Sequence, residues 1–202
     1  MGLFSPVWMR QGPQLSGKAV VAVEKISEEG KLVQVALKTP HYAAAESALK
    51  RISSQDALCK IAIENARQID AVRHSVAAAA VTYITDPECL RKVALETADN
   101  LTRMRAIKKM TDDEALSEVA LTALSRWKAR HLAAMAIAQI RDDTLRRSTL
   151  EEGERLEADI PPDPPQIKTT YDWGFNANGD RYEKTISTAI PAPTLRQWLT
   201  RL

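Results

Sequence analysis

An apolar pattern recurs four times along this chain, and it leaves few folds open to it. The first copy is Ile26, Leu32, Val35, Ala36 and Leu37: an anchor, five residues, a leucine, two residues and an apolar triplet. The others are Ile52, Leu58, Ile61, Ala62, Ile63; Ile84, Leu90, Val93, Ala94, Leu95; and Met110, Leu116, Val119, Ala120, Leu121. Ahead of each anchor stands alanine followed by an aliphatic residue, at Ala22-Val23, Ala48-Leu49, Ala80-Val81 and Ala106-Ile107, with a fifth at Ala136-Ile137 before Ile140. The anchors lie 26, 32, 26 and 30 residues apart, so short and long units alternate, as a two-unit block copied once would give.

Each unit has room for two helices. Ser27, Ser53, Thr85 and Thr111 follow the anchors as N-cap residue types, and Thr85 with Glu88 and Thr111 with Glu114 have capping-box spacing. Pro87 falls in a first turn, where its missing N–H costs nothing. The leucine and the triplet share one helical face. The spacing predicts helix pairs over 28–38 with 41–52, 54–66 with 68–84, 86–98 with 100–110 and 112–124 with 126–140. A leading helix over 14–26 and a trailing one over 142–158 complete the pattern. One pair cannot bury its apolar face alone, so neighbouring pairs must stack, and the expected fold is a mainly α solenoid over residues 1–158. Composition agrees: 7 glycines and 5% aromatic residues in 202 suit helices better than sandwiches or nucleotide-binding α/β sheets.

Arg103 to Asp112 (RMRAIKKMTD) and Ala79 to Asp86 (AAVTYITD) resemble the units of the short HEAT-like repeat proteins of bacteria, and Leu3 to Trp8 (LFSPVW) resembles the start of such chains. The resemblance covers residues 3 to about 145. It implies a right-handed α-solenoid of helix pairs and an arginine early in the second helix of each unit; the expectation of a cytoplasmic protein comes separately, from Cys59 and Cys89 read as reduced thiols in a chain without a secretory leader. Arg73, Arg103 and Arg130 meet that expectation, whereas Tyr42 to Glu46 has none.

The tail reads as a separate element. Ile160 to Pro165 (IPPDPP) cannot be helical, which marks a Pro-rich linker over 159–168. Two alternating runs, Thr169 to Ala177 and Asp180 to Thr188, flank Asn178-Gly179, a two-residue hairpin signal. Pairing about that turn sets Phe175 opposite Tyr182, Trp173 opposite Lys184 and Tyr171 opposite Ile186. Tyr171, Trp173, Phe175 and Tyr182 then share a candidate partner-binding face, or one that caps the stack. Leu195, Trp198, Leu199 and Leu202 have the i, i+3, i+4, i+7 spacing of an amphipathic helix. Residues 169–202 are therefore expected to dock on the solenoid as a hairpin plus a short terminal helix.

Reactive constellations are sparse. No Gly-rich phosphate loop, GxSxG elbow or HExxH helix occurs, and His41, His74 and His131 share no ligand spacing with Cys59 or Cys89. Neither a catalytic site, a cofactor nor a metal is expected. Asp86, Asp112, Asp113 and Asp142 sit at helix starts, where they favour the helix dipole. What remains is charge. The net charge is +2, but residues 1–150 carry 22 basic and 17 acidic side chains against 6 and 9 in the remainder. Arg73, Arg103, Arg105, Lys108, Arg126, Lys128 and Arg130 form a candidate basic stripe on the second helices, which the chain's own acidic 151–163 segment could also cover. The expected function is a non-catalytic protein–protein interaction scaffold with an unidentified protein partner, an acidic one if the stripe is its contact. A nucleic-acid binder is the alternative, like the HEAT-like DNA glycosylases in fold only. No apolar run reaches the length of a membrane span, and Leu3 to Met9 lacks the basic flank of a signal peptide, so no membrane association is expected.

Overall fold

Four of the five anchors are buried at the ends of second helices: Ile52, Ile84, Met110 and Ile140 are each at most 6% exposed. The computed structural model describes residues 6–10, 12, 15–161 and 192–202, together with the backbone of 166–175 and 181–190. It is mainly helical. The helices are α1 (Ser16–Glu24), α2 (Glu29–Lys38), α3 (Tyr42–Leu49), α4 (Gln55–Ala66), α5 (Ala71–Tyr83), α6 (Pro87–Glu96), α7 (Asn100–Lys109), α8 (Asp113–Ser125), α9 (Arg130–Gln139), α10 (Asp143–Ala158) and α11 (Leu195–Leu199).

Their contacts sort into two rows. In one, α2, α4, α6, α8 and α10 each touch the next; in the other, α1, α3, α5, α7, α9 and α11 do the same. Cross-row contacts join α2 to α3, α4 to α5, α6 to α7 and α8 to α9, which are the expected pairs. Leu58, Ile61, Ile107, Leu116 and Ile137 are among the largest buried side chains of one continuous core, while Ala36, Ala62, Ala94 and Ala120 recur at one repeat position and are wholly buried. Small side chains there let the helices approach closely. Truncating one of the large residues to alanine costs about 2–5 kcal/mol, because the cavity collapses only in part.

The caps fall one residue later than the spacing predicts. Ser54, Asp86, Asp112 and Asp142 are the N-caps and accept from the N–H of Ala57, Cys89, Ala115 and Leu145. Thr85 and Thr111 therefore form no capping box; the neighbouring aspartate takes the role because an ionised acceptor makes the stronger bond to an orphan N–H.

The N–H groups freed by that shift are taken by the preceding unit. Glu29 Oε1 accepts from Ser53 N at 3.0 Å and Ser54 N at 2.8 Å. Gln55 Oε1 accepts from Thr85 N at 2.6 Å and Asp86 N at 3.1 Å. Asp113 Oδ2 accepts from Arg141 N at 3.1 Å and Asp142 N at 2.8 Å. Each acceptor stands three residues after an anchor and binds the two N–H groups just after the next one. Pro87 holds that position in the remaining unit and has no acceptor to offer. Basic side chains tie the opposite helix ends: Arg51 donates to the carbonyls of Val23, Glu24 and Ile26, and Lys109 to those of Val81, Thr82 and Ile84. These carbonyls lie at or just beyond helix C-termini, where cations are favoured.

Both ends of the stack are closed by other parts of the chain. At the start, a single 3-10 turn over Val7–Met9 lies on the α2–α3 connection: Thr39 Oγ1 donates to Trp8 O at 2.6 Å, and His41 Nε2 donates to Arg10 O at 2.7 Å. At the far end α11 packs on α9 and α10, burying Leu195 against Gly153. A Cβ at residue 153 would come within 3.1 Å of both Leu124 Cδ1 and Leu195 Cδ2, a tight fit that two leucine side chains would have to shift by a few tenths of an ångström to admit. Glu157 Oε1 accepts from both Arg130 Nε at 2.7 Å and Leu195 N at 3.0 Å, which ties α9, α10 and α11 together. Trp198 and Leu199 pack on the core as the amphipathic spacing anticipates, but Leu202 is exposed.

The backbone of β1 (Gln166–Phe175) and β2 (Arg181–Ile190) pairs antiparallel, with Gly174 opposite Tyr182, Trp173 opposite Glu183 and Tyr171 opposite Thr185. This register is one residue off the pairing expected from a two-residue Asn178-Gly179 turn. The turn itself, and the side chains of the four aromatic residues, lie outside the described residues, as does 162–165 of the Pro-rich linker.

Candidate functional site

The loops joining first to second helices lie along one edge of the stack, and three successive ones frame a groove of about 560 Å³. Its lining comes from the C-cap of α4 (Arg67), the last turn of α6 (Leu95, Glu96), the α6–α7 connection (Thr97, Ala98), the first turn of α7 (Arg103) and the α8–α9 connection (Arg126, Trp127). The last of these turns sharply. Lys128 has φ 55°, and Ala129 N donates to Ala123 O at 2.8 Å, so Trp127 is presented by a tight, left-handed step rather than by helix continuation.

Arg103 organises the floor. It is 5% exposed; its Nε donates to Ala94 O at 3.2 Å, its Nη1 to Asn100 Oδ1 at 3.0 Å and its Nη2 to Thr97 O. The guanidinium carbon lies 3.7 Å from the centre of the Trp127 ring, a cation–π stack. Burial pulls its pKa below the ordinary guanidinium value and Asp99 pulls it back. Arg67 and Arg126 are exposed, and their side chains have no hydrogen-bond or ion-pair partner among the described residues. Glu96 is the one acid in the lining. The hydroxyl of Thr97 is buried without a hydrogen-bond partner among the described residues, in a residue 1% exposed.

The candidate basic stripe is thus divided. Arg103 and Arg126 meet in the groove, and Lys128 sits beside Trp127 on the same loop. Arg73 spends its Nη1 on Leu37 O at 2.8 Å, Arg105 its Nη1 on Ala78 O at 2.9 Å, and Arg130 is buried on Glu157. These three brace neighbouring elements, and Lys108 stands exposed apart from the groove lining. Arg130 with Glu157 also shows where the acidic trailing segment makes contact. Arg67, Thr97 and Trp127 are the residues that periodicity did not single out, because they lie in connections, where the apolar pattern is silent.

Two other grooves offer less chemistry. One of about 520 Å³ lies among α9, α10 and α11, where Arg146 is paired with Asp143. The other, about 260 Å³ beside Pro87 and Asp112, contains Arg91 bonded to both Glu118 and Glu88. Cys59 and Cys89 are buried in adjacent units, with Cys59 Sγ donating to Cys89 O at 3.8 Å. Burial raises both thiol pKa values, that of Cys89 to about 12, so neither is an activated nucleophile.

No family model, curated protein or solved structure matches the chain. Among the described residues no helix is long and apolar enough to cross a membrane.

Proposed function

We propose that this chain is a non-catalytic interaction scaffold: a right-handed α-solenoid of HEAT-like helix pairs over residues 1–158, with the 169–202 hairpin and helix docked as a cap, working in the cytoplasm. Its partner is a protein with an acidic segment. The observation that carries this reading is the loop-edge groove, which the side chains of Arg67 and Arg126, without partners among the described residues, line together with the Arg103–Trp127 stack. Unpaired guanidinium groups around an aromatic face suit carboxylates, which arginine binds through paired N–H donors. A nucleic-acid stripe along the second helices draws less support, since Arg73, Arg105 and Arg130 already hold internal acceptors.

The test is affinity capture from native cytosol with the full chain and with its Arg67→Glu/Arg126→Glu variant. A protein retained by the first at low salt and lost by the second is the expected result. Identical captured proteins from both, or a low-salt shift of DNA or RNA that the double variant abolishes, would overturn the acidic-protein reading.

A further inference from the structure

The two-unit block repeats after 58 residues, and that offset carries Thr39 onto Thr97, in the matching stretches Val35 to Thr39 (VALKT) and Val93 to Thr97 (VALET). The two threonines are the same structural device. Each is the C-cap residue of a first helix, α2 or α6, in extended backbone geometry; each N–H bonds the equivalent valine carbonyl, Val35 or Val93. Each is essentially buried, at 0% and 1% exposure. Their hydroxyls differ. That of Thr39 accepts from His41 N at 3.3 Å and donates to the main-chain carbonyl of Trp8 at 2.6 Å. That of Thr97 has no partner among the described residues.

A buried hydroxyl without a bond costs about 1–3 kcal/mol relative to a bonded one, so its persistence at a groove calls for an acceptor from outside. We propose that the Thr97 groove seats a main-chain segment of an acidic partner protein, whose backbone carbonyl receives the Thr97 hydroxyl as the Trp8 carbonyl receives that of Thr39. This rests on the acidic-partner reading above and adds how the segment is held. Arg67 and Arg126 take its carboxylates, and Glu96 sets against them only one opposing charge. A second copy's own N-terminal segment suits the groove less well, because Arg10 adjoins the Trp8 turn and would enter a lining of three arginines. The Thr97 oxygen is out of reach of water in the free chain. Seating the segment therefore requires the groove wall over that oxygen to give way.

The probe is a fluorescein-labelled peptide of alternating glutamate and proline, which is extended before binding and offers carbonyls and carboxylates but few N–H groups. Fluorescence anisotropy with the full chain at low salt should show saturable binding, abolished in Arg67→Glu/Arg126→Glu. Thr97→Val, which keeps the shape and removes the donor, should weaken binding about fivefold, and Thr97→Ser should restore it. Wild-type binding by Thr97→Val, with loss only on charge reversal, would overturn the carbonyl bond and leave the acidic groove standing. Binding that is absent, or unchanged by charge reversal, would overturn both. Melting of the free chain gives an independent reading: Thr39→Val should lower Tm, and Thr97→Val should hold or raise it. An equal fall in both would mean that the Thr97 hydroxyl is already satisfied, and the proposal fails.

Discussion

The two copies of the block end their first helix alike and then treat that end differently. After Thr39 comes His41, which reaches out to the N-terminal segment at Arg10 O. At the matching position after Thr97 stands Asp99, which turns inward and caps α7 by accepting from Thr102 N at 2.8 Å and Thr102 Oγ1 at 2.6 Å. The first copy's helix end is thus covered by the chain's own main chain. The second is braced by Arg103 and stacked on Trp127, with one hydroxyl left over. A duplicated pattern preserves the helix end, where backbone geometry demands it, and frees the connection beyond to acquire a different neighbour.

That contrast can be broken most severely at the arginines. Arg103→Ala removes three charge-assisted bonds and the Trp127 stack from a buried position, and should cost about 3 kcal/mol in denaturant unfolding. Arg73→Ala removes a single bond to Leu37 O from a half-buried side chain and should cost about 1 kcal/mol. Equal losses would show that the second copy is not the more heavily braced. The threonine pair comes next: Thr39→Val should cost about 1–2 kcal/mol and Thr97→Val nothing, read in the same titration.

Pro87→Gln sharpens the comparison in the opposite direction. It places at the one silent junction the residue type that Gln55 supplies one unit earlier, able to accept from Thr111 N and Asp112 N. A gain of about 0.5–1 kcal/mol is expected from denaturant midpoints. The smallest effect is acid sensitivity. Bonds from Ser54 N hold the Glu29 carboxyl below its ordinary value, and those from Asp142 N do the same for Asp113. A carboxyl lowered on folding stabilises fully above its unfolded value near pH 4, and that contribution is lost as pH falls through the lowered one. Glu29→Gln and Asp113→Asn should therefore flatten the acid limb of a stability–pH profile, while substitution at the Gln55 junction leaves its slope unchanged.

Much of the architecture could be read directly. The anchors and triplets located the helix pairs to within a few residues, because burial of one helical face imposes a period that any window of the chain displays. The N-caps were misplaced by one residue at Ser54, Asp86 and Asp112. Ser53, Thr85 and Asp86 are all competent caps in isolation; at the first two junctions the acceptors Glu29 and Gln55, 24 to 31 residues away, take the N–H groups that the shift frees, whereas at Asp112 the preceding unit offers only Pro87 and the ionised side chain makes the cap by itself. The strand register failed in a similar way, since the local Asn178-Gly179 signal gave no account of the pairing across the ladder.

For the site, the sequence supplied the charges but not their use. Arg73, Arg103, Arg105 and Arg130 look equivalent as letters on second helices. Packing alone determined that three of them brace neighbours and that Arg103 meets Trp127, Thr97 and Arg126 beside a groove. The physical reason is range. Helix periodicity and capping act over a few residues and are written locally, whereas the partner of a guanidinium or a buried hydroxyl is set by which distant carbonyl the folded stack brings within hydrogen-bonding distance.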